Sequence, residues 1–188
     1  MTIDHRPPGG LSALLAYAGG AEGSSGKLPP VHLWHPAHCG EIDIRIARDG
    51  TWFHEGSPIG RAALVRLFST VLRKDPDGYV LVTPGEKLTI TVDDAPFIAV
   101  RVDREPRGLR FVTNVGDGVL AGAEHRLRVE TDPVSGEPAP YLHVRGGLEA
   151  RLARPVFYEL ADMATSRDGQ LGVESDGVWF NLGAGDAT

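Results

Sequence analysis

The sequence predicts an α+β fold made by tandem duplication of an antiparallel-sheet-plus-helix unit. Three observations predict it. Short stretches alternating apolar and polar residues follow one another, separated by turn-forming pairs. Only two long apolar stretches with helical spacing interrupt them, which argues against a doubly wound parallel sheet. And the order strand, glycine turn, strand, proline, helix, strand, turn, strand occurs twice along the 188 residues. On this reading residues 1–27 hold an N-terminal helix and a flexible linker. Residues 28–100 are the first repeat and 101–188 the second, joined near Pro96 to Pro106.

Taken in order, the first apolar run covers residues 10–20. It is too short to span a bilayer and lacks a basic flank, so it reads as neither membrane helix nor signal peptide. A short amphipathic helix from Ser12 to Ala18 fits better, with Leu11, Leu14, Leu15 and Ala18 on one face. Gly and Ser then make residues 19–30 a linker. "EIDIRIA" places Ile42, Ile44 and Ile46 on one strand face and Glu41, Asp43 and Arg45 on the other. Asp49-Gly50 turns the chain into "TWFHE". Gly56-Ser57-Pro58 then reads as a helix start, with Ser57 as cap and Pro58 at the first helical position. Ile59, Ala63, Leu67, Phe68, Val71 and Leu72 form the apolar stripe, and Arg73 and Lys74 close the helix. "YVLVT", "KLTITVD", "FIAVRVD", "LRFVTN", "HRLRVET" and "YLHVR" are strands, with a Gly-rich loop before the fifth. From Val144 the pattern returns: a Gly turn, a strand, Pro155, a helix, then "QLGVE" and "VWFNL" around Asp176-Gly177. The count is about eleven strands and two to three helices.

Bulk properties narrow the function. A formal net charge of -6 weighs against a broad nucleic-acid surface. One cysteine, Cys39, excludes an internal disulfide and suits a reducing, cytoplasmic setting. No G-x-G-x-x-G joins a strand to a helix, and "GSPIGR" is not a phosphate-binding P-loop.

The segment from Pro29 to Leu72, with its specific block from Cys39 to Arg61, and "YVLVTPGEKLTITVDDAPF" after it, resemble the bacterial family called domain of unknown function 1285. That resemblance implies a duplicated core and a second half like pleckstrin-homology folds. It also implies a ligand pocket between the halves, a nucleotide-like molecule being one candidate, and a role in signal transduction. It carries no catalytic residues and names no cofactor.

Several groups of residues could carry chemistry. A capped helix start can hold an anion on its free amides, with Ser57 and Arg61 assisting. His32, His35, His38 and Cys39, with His54, are zinc-ligand types, but their spacing is irregular and a plain loop explains them. Glu41 with Asp43, and Asp93-Asp94, are carboxylate pairs most simply read as polar strand faces. "TPGEK" is a charged hairpin loop ending at Lys87. In Trp52-Phe53 and Trp179-Phe180 one ring of each pair must face outward, suggesting an aromatic wall where the halves meet. The expectation is therefore a non-catalytic module binding a small anion through Trp52, Ser57, Arg61, Lys87 and Trp179, without nucleic acid or membrane. The alternatives are a hydrolase or metal-dependent enzyme using residues 32–39, and a protein–protein adaptor using edge strands.

Overall fold

The computed structural model describes residues 28–37, 39–133 and 135–184, together with Ser12 and Ala16. Those two positions are helical, and the rest of the expected N-terminal helix lies outside the described residues. The chain forms two compact units, Met1–Asp94 and Ala95–Thr188. The second unit's first strand runs unbroken across residues 100 and 101, where the sequence placed the boundary.

In the first unit a 3-10 turn, Val31–Leu33, precedes β1 (Cys39–Ile46), β2 (Trp52–His54), β3 (Ser57–Pro58), helix α1 (Ala62–Thr70), β4 (Leu72–Asp75), β5 (Gly78–Val82) and β6 (Lys87–Val92). The sheet order is β3-β2-β1-β6-β5-β4. Each half is an antiparallel meander, and the two join where β1 and β6 run parallel. The alternation in β1 is as the sequence predicts: Ile44 and Ile46 are buried while Glu41, Asp43 and Arg45 are exposed. Leu81, Val82, Leu88 and Phe68 complete the core, each such side chain contributing about 1.5–3 kcal/mol through burial.

The Gly-Ser-Pro corner is a hairpin and not a helix start. Glu55 and Gly56 both have positive φ, 49° and 74°, between the paired residues His54 and Ser57. That is the two-residue type I′ turn, whose twist suits adjoining strands. The ladder continues when the Ile59 N–H donates to the Trp52 carbonyl at 2.7 Å. Ser57 and Pro58 are thus extended, and Pro58 is tolerated because β3 is an edge. The helix begins only after Arg61, which occupies the cap position without a side-chain hydrogen bond. At its other end, the Ser69 and Thr70 hydroxyls donate back to the Arg66 and Leu67 carbonyls at 2.6 and 2.7 Å. Such bonds compete with the helical ladder. Arg73 and Lys74 consequently lie in β4, beyond the helix.

The second unit contains β7 (Phe97–Glu105), β8 (Gly108–Thr113), β9 (Gly118–Leu120), β10 (Leu127–Thr131), β11 (Pro138–Arg145), β12 (Leu148–Leu152), helix α2 (Arg154–Asp162), β13 (Thr165–Arg167), β14 (Gln170–Ser175) and β15 (Val178–Ala184). Its large sheet has the order β10-β11-β12-β7-β8-β9. This reproduces the first sheet: two meanders joined by a parallel pair of first and last strands, here β7 and β12. The duplicated element is therefore the six-stranded sheet, with β1–β6 corresponding to β7–β12. The sequence reading aligned β1-β2 with β11-β12 because each hairpin leads into a helix. The strand pairing corrects that register, for α1 lies between the meanders of its sheet and α2 follows the whole of its own. After α2 the chain adds a separate antiparallel sheet, β13-β14-β15, without a counterpart in the first unit. Fifteen strands and two α-helices among the described residues from Leu28 onward make the fold richer in β-structure than the sequence suggested.

Two substitutions separate hairpin from cap. Ser57→Ala should change urea-unfolding stability by less than about 0.5 kcal/mol, since no cap is lost. Gly56→Ala should cost about 1–2 kcal/mol through its left-handed backbone.

Candidate functional site

The five residues expected to line a ligand do not assemble within either unit. Trp52 is a core residue, 2% exposed, with its ring stacked on Phe68 at 6.3 Å. Its indole N–H is buried without a hydrogen-bond partner. Phe53 is the outward ring of that pair, half-buried with the Arg45 guanidinium 5.9 Å away. Ser57 and Arg61 are exposed. Ser57 pairs with His54, which is level with Ile44 of β1, whereas Lys87 is level with Cys39. Five residues of strand separate those levels, about 16 Å along the sheet. In the second unit Trp179 is half-buried on β15, the Arg167 guanidinium lying 4.9 Å from its ring centre. A side chain at Gly172 would collide with that ring, so the glycine gives the indole its seat.

Lys87 has a different employment. Its Nζ meets Asp75 Oδ2 at 3.2 Å, and the same carboxylate accepts a fork from Arg73, Nε at 2.6 Å and Nη2 at 3.0 Å. Arg73 Nη1 also donates to the carbonyls of Val31 and Trp34, at 2.9 and 2.7 Å, tying the 3-10 turn to β4. The Arg73 hydrogen bond is the largest influence holding Asp75 below the usual carboxylate range. Burial opposes it, and Lys87 reinforces it.

Among the described residues no group of three His, Cys, Asp or Glu side chains is placed to hold a metal ion. His32 and His35 are exposed, while His38 and the Cys39 side chain lie outside the described set. Of the carboxylate pairs, Asp93 accepts from Arg45 Nε at 2.9 Å and Asp94 lies 3.7 Å from Arg48. These ion pairs tie the residues just after β6 to β1 and the turn that follows it. No described helix is long and apolar enough to cross a membrane.

The second unit builds a concave site that the sequence did not suggest. The β7-β8 hairpin, turning at Pro106-Arg107, meets the β14-β15 hairpin, turning at Asp176-Gly177. Ser175 is the joint. Its buried hydroxyl donates to the Ala121 carbonyl at 2.7 Å and accepts the Leu109 N–H at 2.8 Å. Beside it the Asp176 N–H donates to the Arg107 carbonyl at 2.8 Å, and Arg107 returns a hydrogen bond to Asp176 Oδ1 at 2.9 Å. Gly108 must be glycine here, since a Cβ would collide with the Ser175 hydroxyl. A cleft of about 330 Å³ opens at this junction, within the size range of small-ligand sites. Leu109, Val173 and Met163 supply apolar wall, and Arg104, Arg107, Glu105, Glu174 and Asp176 supply charge. Arg107 is held by Asp176, and Glu105 by Arg110 at 2.7 Å. Arg104 is exposed and engaged in no ion pair among the described residues. Trp179 stands directly across from Glu174 on the adjoining strand, but it is not part of the lining.

Duplicated six-stranded sheets, one carrying an inserted helix and the other an appended helix and small sheet, define a two-unit, β-rich class of protein. Two family descriptions match in tandem: "Domain of unknown function (DUF1285), N-terminal domain" over residues 29–95, and "Protein of unknown function (DUF1285), C-terminal domain" over 96–182. The chain belongs to the DUF1285 family. A solved DUF1285 family protein from Silicibacter pomeroyi is 50% identical, with a TM-score of 0.83, over 91% of this chain and 94% of that one. Another, from Shewanella baltica, is 27% identical with a TM-score of 0.51, over 63% of this chain and 90% of that one. No curated protein matches the sequence.

Two outcomes follow from this geometry. Ser175→Ala should lower unfolding free energy by about 1–3 kcal/mol, because the Leu109 N–H and Ala121 carbonyl both lose a buried partner. Because folding depresses the Asp75 pKa, its contribution to stability is present above the unfolded carboxylate value and lost as pH falls through the folded one. Asp75→Asn should therefore be less stable near neutrality, with a shallower loss of stability on acidification, as measured by urea unfolding across pH.

Proposed function

We propose that this protein is a non-catalytic small-ligand-binding module whose site is the cleft between the β7-β8 and β14-β15 hairpins. The observation that carries the reading is Arg104, a guanidinium on the wall of a 330 Å³ cleft without an ion-pair partner among the described residues. Arg104 offers a fork for a carboxylate or phosphate, and the half-buried Met163 beside it offers apolar surface for the remainder of the molecule. The site lies within the second unit, which moves the ligand away from the wall of Trp52, Ser57, Arg61 and Lys87 that the sequence suggested. Binding without turnover suits a sensing role in signal transduction. We also propose a pleckstrin-homology-like character for the second unit, supported by its antiparallel meanders with a single helix.

The test is a thermal-shift screen of the full chain against small carboxylates, amino acids, inorganic phosphate and nucleoside monophosphates. At least one class should raise the melting temperature, a hundredfold excess over Kd adding about 2.7 kcal/mol. Arg104→Ala should remove most of that shift. Unchanged melting across the panel, or a shift that Arg104→Ala leaves intact, would overturn the assignment.

A further inference from the structure

Resting on the reading of this cleft as a ligand site, we infer that its ligand is a zwitterion of amino-acid or dipeptide type, and not a phosphate or nucleotide. The charges on the lining carry the argument. Two of its carboxylates and one guanidinium are already committed: Asp176 to Arg107 at 2.9 Å, and Glu105 to Arg110 at 2.7 Å. Two opposite charges are left. Arg104 has no ion pair among the described residues. Glu174 has only a 3.9 Å approach to Arg167, with 61% of its side chain exposed. Both line the same cleft, yet no ion pair joins them. They come from different hairpins, Arg104 from β7 and Glu174 from β14, and those hairpins are fixed against each other by the Ser175 hydroxyl. A cation and an anion that line one cleft without pairing to each other are complementary to a molecule bearing both charges.

A multiply charged phosphate fits the same lining poorly. The cleft presents three carboxylates against two guanidiniums, so a polyanion bound to Arg104 would also face Glu105, Glu174 and Asp176. A carboxylate on Arg104 brings a single negative charge, and an ammonium directed at Glu174 balances it. The half-buried Met163, with the edges of the buried Leu109 and Val173 behind it, then meets an aliphatic side chain. The volume of about 330 Å³ admits a single amino acid or a dipeptide of small residues.

The decisive comparison uses titration calorimetry of the full-length protein with leucine, glycyl-leucine, 4-methylpentanoate, 3-methylbutylamine, inorganic phosphate and adenosine monophosphate. A zwitterion should bind, and its one-charged analogues should bind at least about tenfold more weakly, one charge-assisted contact having been removed. Glu174→Gln should weaken the zwitterion by about the same factor while leaving carboxylate binding unchanged. If the carboxylate alone binds as well as the zwitterion, or if phosphate or adenosine monophosphate binds better, the zwitterion is refuted and the anion site stands. If none of the six binds, both the zwitterion and the ligand site fall. Circular dichroism of Glu174→Gln, an exposed position, distinguishes lost binding from lost folding.

Discussion

Each large sheet depends on one pairing, the parallel ladder between its first and last strands. Antiparallel meanders form from neighbouring sequence through short turns, and β1-β2-β3 or β4-β5-β6 alone would be a small sheet with two open edges. The β1-β6 ladder removes one edge from each and makes six strands continuous. In the second unit the β7-β12 ladder does the same. Each closing strand accordingly buries an apolar face. Ile44, Ile46, Leu88 and Ile90 are buried in the first pair, and Phe97, Ala99, Val102, Leu148, Ala150 and Leu152 in the second. These contacts are distant along the chain, so closing each sheet costs more loop entropy than forming its local hairpins.

Having reproduced this sheet, the second unit departs from the first in what covers it. The first interposes α1 between meanders, so its helix belongs to the crossover from β3 to β4. The second crosses from β9 to β10 by a loop and spends its helix afterwards, leading into β13-β14-β15. That added sheet needs an attachment, and Ser175 with the Asp176 amide provides one. A hydroxyl satisfying two backbone groups at once is economical, and the absence of a Cβ at Gly108 lets the hairpins approach closely enough for it. The cleft is the space left where two tightly joined turns diverge.

Much of the strand structure was legible because half-buried strands write their burial as alternation, as Ile42, Ile44 and Ile46 do. Helix α2 was legible from Pro155 near its start. β3, β9 and β13 were not, since two or three residues are too few to display a period. The Ser57-Pro58 corner misled for a chemical reason. Residues that favour helix caps also follow hairpin turns, and the left-handed residue that decides between them, Glu55 at φ 49°, has no sequence signature for that conformation. Within the first unit the expected lining residues lie apart, because burial of Trp52 and the register of β1 with β6 are tertiary facts that no local segment displays. The cleft was invisible for a related reason: Ser175 and Leu109 stand 66 positions apart, and nothing local in either segment announces the other.

The placement of the three tryptophans has an optical consequence. Trp34 and Trp52 belong to the first unit, and Trp179 alone to the second. Trp52 is sealed from water with its indole N–H unbonded, which favours short-wavelength emission and slow deuterium uptake at that nitrogen. Trp179, half-exposed under a guanidinium, lies in a wetter and more polar place. With the half-buried Trp34 replaced by phenylalanine, each unit would keep one native fluorophore of distinct colour, and the order in which the units unfold could be followed without attaching any label.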